Sequence, residues 1–149
     1  MKFIQNNKGL TKFPDFPNGL TELSVFNNQI EEVSDKVWQE TGLEVLNISA
    51  NKIHTLSSKI GNLKSLKMLD IGHNQIRVLP DKIGELTALD TYLYLHNNQF
   101  KNIPESIGQL TKLRYLNLSM NQLKTLPTSS GLLHELVELK LEDNQLESL

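Results

Sequence analysis

Apolar residues recur along most of this chain in one order, and each copy centres on two apolar residues that flank a single variable one. In the clearest copy, Leu116 and Leu118 flank Asn117. This alternation is the two-residue period of a strand with one buried and one exposed face. An asparagine stands three residues after the second apolar position of every copy. The pattern therefore predicts a short strand in each copy, followed by a turn.

The asparagines keep an almost constant spacing of 23, 23, 24, 23 and 23 residues. They are Asn28, Asn51, Asn74, Asn98, Asn121 and Asn144. A fixed period in this range predicts a solenoid, in which each repeat stacks on its neighbours. An asparagine amide both donates and accepts hydrogen bonds, so stacked asparagines can satisfy the backbone groups that the turn leaves free.

A second segment follows each turn and returns the chain to the next strand. In the third and fourth copies it begins Leu79-Pro80-Asp81 and Ile103-Pro104-Glu105. Proline at a first helical position and apolar residues three to four apart predict one or two short helical turns. A glycine near the end of the segment then lets the chain reverse. These glycines are Gly61, Gly84, Gly108 and Gly131.

This frame resembles the leucine-rich repeat family, specifically its 23-residue type with a Leu-Pro-x-x-Ile-Gly-x-Leu segment. Six copies in register between residues 20 and 149 carry the resemblance. It implies an α/β fold, a right-handed horseshoe solenoid with a parallel sheet on the concave side and short helices or 3-10 turns on the convex side. It also implies a protein-recognition scaffold rather than an enzyme. Similar repeats occur in intracellular signalling proteins of plants and animals and in bacterial proteins.

Several positions depart from the frame. Ser34 and Ser57 replace the proline in the first two repeats, while Trp38 and Glu40 replace the glycine and leucine of the first convex segment. We expect that turn to be irregular, with Trp38 packing near the amino-terminal end. The one 24-residue interval comes from an extra residue within 89–92, which predicts a bulge entering the fourth strand.

The two ends of the repeat array differ. We interpret residues 1–19 as an amino-terminal capping segment and residues 20–149 as six repeats, the last incomplete and without a carboxy-terminal cap. Leu141, Leu146 and Leu149 would then be barely covered. We expect either that the chain is a piece of a longer protein or that this edge meets a partner. That partner could be a second copy, through self-association.

Composition and charge narrow the classes of partner that we expect. The net charge is −2, the pI is about 6.1, and there is no cysteine. We therefore expect no nucleic-acid partner, no membrane partner and no thiolate metal site. No amino-terminal signal peptide is evident, so the expected location is cytoplasmic. Two formal glycosylation sequons, at Asn47 and Asn117, lie on the predicted strand surface and are interpreted as chance matches.

The outward positions of the predicted strands carry an unusual set of side chains. All three tyrosines and both methionines beyond Met1 fall there. Large amphipathic residues of this kind are typical of an interface centre. Acidic residues, among them Glu22, Glu44, Glu138, Glu142 and Asp143, stand to either side. The alternative is that tyrosines simply favour strand surfaces. The predicted partner-binding residues are Met68, His73, Tyr92, Tyr94, His96, Tyr115 and Met120.

The sequence gives little support for catalysis or metal binding. Asp70, His73, His96 and Ser119 share the predicted concave face, but no Gly-x-Ser-x-Gly elbow occurs and a shallow open sheet excludes little water. Two histidines and one aspartate are a weak metal signal. We therefore predict no catalytic residues, cofactor or metal. The predicted function is non-catalytic binding of a protein or peptide on the concave face. The alternative is a recognition fragment or spacer of a larger signalling protein or enzyme.

Overall fold

Seven short strands form one parallel sheet in which every strand lies beside its neighbours in chain order. The computed structural model describes residues 1–147. Each strand has three residues, and the alternating frame buries the middle one in the core in all but the first and last strands. The strands are Lys2–Ile4 (β1), Glu22–Ser24 (β2), Val45–Asn47 (β3), Met68–Asp70 (β4), Tyr92–Tyr94 (β5), Tyr115–Asn117 (β6) and Glu138–Lys140 (β7). The predicted fold class, a leucine-rich repeat solenoid of α/β type, is confirmed.

Five short 3-10 helices carry the chain between strands on the opposite side. They span Asp35–Gln39, Ser58–Asn62, Asp81–Glu85, Glu105–Gln109 and Thr128–Leu132. Each begins after a proline or a serine in extended conformation. Ser34 and Ser57 accept a hydrogen bond from the backbone N–H two residues on. Serine therefore replaces proline by capping the turn that proline would otherwise pre-form.

The asparagine side chains connect consecutive repeats, as predicted. Asn98 shows the arrangement: its Oδ1 accepts from the backbone N–H of Ile76 in the preceding repeat, at 3.1 Å. Its Nδ2 donates to the carbonyls of Ile71 and Leu95, each at 3.1 Å. One buried side chain thus satisfies polar backbone groups in two repeats at once. The equivalent asparagines make the corresponding bonds.

The prediction of an irregular first convex turn is wrong. Asp35–Gln39 is a 3-10 helix of the same length as the others. Trp38 is only 2% exposed and belongs to the core, which confirms its predicted packing role. Glu40 stands where later repeats have leucine, and its Oε1 accepts from the Leu20 N–H at 2.9 Å. A buried carboxylate with a backbone donor therefore takes the place of an apolar contact.

The extra residue of the fourth repeat lies in the predicted segment but outside the strand. Tyr92 pairs in register with Met68 on one side and Tyr115 on the other, so β5 is continuous with its neighbours. Leu89 is buried like the equivalent Leu66 and Leu113, and the additional length falls at Asp90 and Thr91. The Thr91 hydroxyl donates to Asp90 Oδ1 at 2.9 Å. The insertion therefore leaves the direction of Tyr92 unchanged.

The amino-terminal segment contributes a strand that the sequence pattern did not predict. β1 pairs with β2 in the parallel register of the rest of the sheet. Phe16 is buried, and the rings of Phe3 and Phe13 lie 6.2 and 6.1 Å from it. The Lys36 ammonium lies 4.5 Å from the Phe16 ring centroid and donates to its carbonyl. An aromatic cluster held by this cation covers the first edge of the core.

The opposite edge is more open. Leu139 is 40% exposed, whereas the equivalent Leu116 is 4% exposed, and Leu141 and Leu146 are partly buried. Leu149 lies outside the described residues. The division at residue 19 and the incomplete last repeat stay predictions. Within residues 1–147, no helix has the length and apolar character needed to cross a membrane.

We expect Asn98→Ala to destabilise the fold by about 2–5 kcal/mol, because it leaves one buried N–H and two carbonyls without their partner. Asn144→Ala is the matched control, since Asn144 makes the same set of bonds but is only partly buried. Urea denaturation should show a clearly smaller loss for Asn144→Ala. Equal losses would contradict a role for burial.

Gly84→Ala is expected to cost about 1–3 kcal/mol through overpacking. A Cβ at this position would lie 2.5 Å from the Ser106 carbonyl oxygen of the next repeat. Gly131 occupies the equivalent position with nothing within 4 Å. Gly131→Ala should therefore change the unfolding free energy by less than about 0.5 kcal/mol. A thermal or urea titration of both variants checks the contrast, which a similar effect of the two would refute.

Candidate partner-binding face

The sheet register aligns four of the predicted site residues on neighbouring strands. Met68 of β4, Tyr92 of β5 and Tyr115 of β6 are consecutive partners, and Tyr94 lies two residues further along β5. Neighbouring strands are about 4.8 Å apart, so their side chains stand side by side. All four are half-buried and reach solvent on the concave face. The structure therefore brings these four residues together as one patch.

The aromatic rings continue from this patch as a row. Tyr92 and Tyr94 stack with centroids 4.3 Å apart and planes inclined by 15°. Tyr94 meets His96 edge to face at 5.9 Å, and His96 meets His73 in the same way at 4.6 Å. Both geometries are favourable for aromatic pairs, so the rings hold one another in place. The row is defined here as Tyr92, Tyr94, His96 and His73.

Gly72 makes room for this row, although the predicted site omitted it. A Cβ at Gly72 would lie 2.7 Å from Cε1 of His96. The imidazole thus rests on bare backbone, and its Nδ1 is buried without a hydrogen-bond partner among the described residues. Sequence comparison between repeats offered one signal, because glycine replaces a side chain at this strand position only in the third repeat.

The residue before each repeat asparagine adopts a left-handed backbone conformation. His73 and Met120 occupy this position with φ of 54° and 57°. At His73 the ring Nδ1 lies 2.8 Å from Asn97 Nδ2, at the equivalent position of the next repeat. Met120 is 43% exposed and stands at this turn position, not on a strand with the tyrosines. Met120 therefore lies beside the strand row and not within it.

The comparisons with known proteins agree with this geometry. A family model described as leucine rich repeat matches residues 18–76, 41–100 and 91–146. The chain belongs to the leucine-rich repeat family. No curated protein matches the sequence significantly.

Solved leucine-rich repeat structures resemble the chain over most of its length. An internalin, inlF, of Listeria monocytogenes is 32% identical with a TM-score of 0.75, over 86% of this chain and 36% of its own. A leucine-rich repeat protein of Leptospira interrogans is 32% identical with a TM-score of 0.69, over 85% and 38%. A plant peptide hormone receptor, RGFR1, solved in complex with RGF2, is 30% identical with a TM-score of 0.78, over 87% and 22%. This leucine-rich repeat chain thus spans well under half of each.

Asp70 of β4 pairs in register with Tyr94 beside the patch, and the predicted binding set omitted it. Burial raises its pKa above the ordinary value, although the Gly72 N–H donates to its Oδ1 at 3.0 Å and His96 and His73 oppose the shift. Burial also raises the pKa of Tyr92 and Tyr94, and the Asp70 carboxylate raises both further. Burial and His73 lower the pKa of His96. Both tyrosines therefore stay neutral hydroxyl donors on this leucine-rich repeat surface at physiological pH.

The polar residues of the concave face do not form a catalytic arrangement among the described residues. The Ser119 hydroxyl donates to Asn117 Oδ1 at 2.5 Å, not to a histidine. Asp70 accepts from the Gly72 backbone, and His73 pairs with Asn97. Within residues 1–147, no three His, Asp or Glu side chains converge as metal ligands. What the geometry offers is a preformed aromatic surface.

We expect Asp70→Asn to stabilise the protein at neutral pH. Because burial raises the folded-state pKa, the folded state binds more protons than the unfolded state between the two pKa values, and stability falls as pH rises through that window. Asparagine keeps the acceptor for the Gly72 N–H without the desolvated charge. Urea midpoints should show a gain near pH 7 that shrinks at about pH 3. The exposed Asp81→Asn should show no such gain, and a destabilised Asp70→Asn at neutral pH would contradict the assignment.

Proposed function

We propose that the chain is a non-catalytic recognition module that binds a protein or peptide on its concave face, centred on Tyr92, Tyr94 and Tyr115. The observation that carries this proposal is that all three tyrosines lie half-exposed on two adjacent strands, with Tyr92 in register with Tyr115 and stacked on Tyr94. Tyrosine supplies a large contact area and a polar hydroxyl at low cost in side-chain entropy, which is why it is enriched at interface centres.

The strand register supports a centre-and-rim arrangement. In the row of partners that contains Met68, Tyr92 and Tyr115, Glu22 on β2 stands on one side and Glu138 on β7 on the other, with Lys2 of β1 beyond Glu22. An apolar centre between charged ends is the usual anatomy of an interface. His73, His96 and Met120 are proposed to extend the contact beside the tyrosines. Glu22 is itself 3.7 Å from the Lys2 ammonium, so Glu138 is the freer of the two carboxylates.

Preorganisation supports the same conclusion. The Tyr92–Tyr94 stack and the His96–His73 contact hold four rings in place before any partner arrives. Side chains that are already ordered lose little conformational entropy on binding, so more of the contact energy appears as affinity. The plant peptide hormone receptor RGFR1, which resembles this chain in fold, was solved in complex with RGF2.

A second candidate function is a recognition segment or spacer within a larger signalling protein or enzyme. The observation in its favour is that the chain spans 38%, 36% and 22% of the three solved proteins described above. In that case the concave patch would act as part of a longer surface. The cytoplasmic location and self-association through the β7 edge, where Leu139 is 40% exposed, remain proposals.

Affinity capture with the wild-type chain, followed by calorimetry with the captured partner, tests the proposal. The double variant Tyr94→Ala, Tyr115→Ala should weaken binding by roughly 1–4 kcal/mol, since truncated anchors lose buried contact area. Its circular dichroism should be unchanged, because both side chains face solvent.

Leu132→Ala is the control on the convex side, where Leu132 is 52% exposed in the last 3-10 helix. It should leave the affinity unchanged. An unchanged affinity in the tyrosine double variant would sink the concave site. A loss of affinity in the control variant alone would indicate that the partner binds the convex side.

A further inference from the structure

A groove runs along the lateral face where the chain leaves the strands, away from the tyrosine patch. The third and fourth residues after each repeat asparagine line this face, and we call it the exit face. A cavity of about 640 Å³ lies between Arg77 of the third repeat and Lys101 of the fourth. An adjoining cavity of about 410 Å³ shares Lys101 and reaches Lys124 of the fifth. Together they form one groove across three repeats.

Three cations line this groove without a carboxylate partner. Arg77, Lys101 and Lys124 occupy the same position in successive repeats, and none has a carboxylate oxygen within 4.0 Å in residues 1–147. Some cations near the groove are paired instead: Lys64 lies 2.8 Å from Glu85 and Lys67 lies 3.4 Å from Glu44. Unneutralised positive charge in a protein of net charge −2 is a local feature with its own electrostatic field.

The arginine is held in an orientation that leaves its binding edge free. Arg77 Nε donates to Gln99 Oε1 in the next repeat at 3.2 Å. This bond fixes the plane of the guanidinium and leaves the two terminal nitrogens for a carboxylate. Gln99 and Gln122 line the floor, and their amides can bond an extended backbone.

An exposed apolar residue stands beside these cations. Val78 is 72% exposed, and Leu79 and Pro104 line the same cavity. Asp81 lines the cavity on its convex side. Its negative charge would repel the carboxylates of a bound ligand from that side. At the equivalent position of the first two repeats Glu31 lies 3.9 Å from His54, whereas the third, fourth and fifth repeats carry Arg77, Lys101 and Lys124 there.

We propose that the exit-face groove is a second binding surface, which takes an acidic, extended segment of a protein partner. Carboxylates lie on Arg77 and Lys101, and one apolar side chain covers Val78. Successive repeats are about 4.8 Å apart and an extended chain advances about 3.3 Å per residue, so the three cations match three or four residues. This proposal does not rest on the concave site, since the two faces share no residue.

Fluorescence anisotropy with three labelled peptides tests the groove. The probes alternate leucine with glutamate, with glutamine or with lysine. We expect the glutamate probe to bind at least tenfold more tightly than the glutamine probe and to weaken as salt rises. Arg77→Glu with Lys101→Glu should lower its affinity at least tenfold. Val78→Ser should lower it less, because it removes only the apolar contact.

Lys112→Glu with Arg114→Glu is the matched control, with the same charge change on two exposed residues of the opposite lateral face. Circular dichroism verifies folding, and Arg77→Gln with Lys101→Gln replaces the reversal if that variant unfolds. No preference for glutamate, or an equal loss in the control, overturns the proposal. Sedimentation that shows dimers dissolved by the reversal would also overturn it, since a second copy would then occupy the groove.

Discussion

The asparagine side chain that bonds two repeats at once is the interaction on which the rest of this structure depends. Three-residue strands provide few ladder hydrogen bonds, and the turn after each strand leaves buried backbone groups without partners. Asn51 accepts from the Ile30 N–H and donates to the carbonyls of Val25 and Ile48, which lie in two repeats. Because each repeat completes the hydrogen bonding of its neighbour, no repeat is satisfied alone, and stability grows by stacking.

The convex side adds a second constraint, which is close approach. A side chain at Gly84 or Gly108 would collide with Ser106 or Ser129 of the following repeat. The following serines use this proximity, since the Ser106 hydroxyl donates to the Asp81 carbonyl at 2.6 Å. The Glu105 carboxylate accepts from the backbone N–H groups of Thr128 and Ser129 at the start of the last 3-10 helix. It thereby caps that helix, because Pro127 has no side-chain hydrogen bond to offer. Packing and capping thus both cross the repeat boundaries.

This framework explains how one sheet can present two unlike surfaces. The strands place Tyr92 and Tyr115 side by side on the concave face, while the turns place Arg77 and Lys101 side by side on the exit face. In each case the spacing comes from the repeat and the chemistry from its variable positions. Such surfaces are rigid because the residues between them are buried. Aromatic groups on one face and charged groups on the other are therefore held in fixed positions by the repeat.

The repeat period by itself determined strands β2 to β7, the asparagine bridges, the buried frame and the outward direction of Tyr94 and Tyr115. These follow from local alternation and from a register that every copy repeats. The pattern could not decide the conformation around Trp38, because whether a large residue fits a glycine position depends on space in the core. Nor could it assign β1, since only pairing with β2 makes Lys2–Ile4 a strand.

Tertiary structure alone decided the finer geometry of the concave face. The Tyr92–Tyr94 stack, the packing of His96 on Gly72 and the burial of Asp70 depend on contacts within a strand or between neighbouring repeats. A sequence states which side chains share a face, because that is set by the backbone period. It does not state which of them touch, because rotamers and burial are settled only when neighbouring repeats have packed.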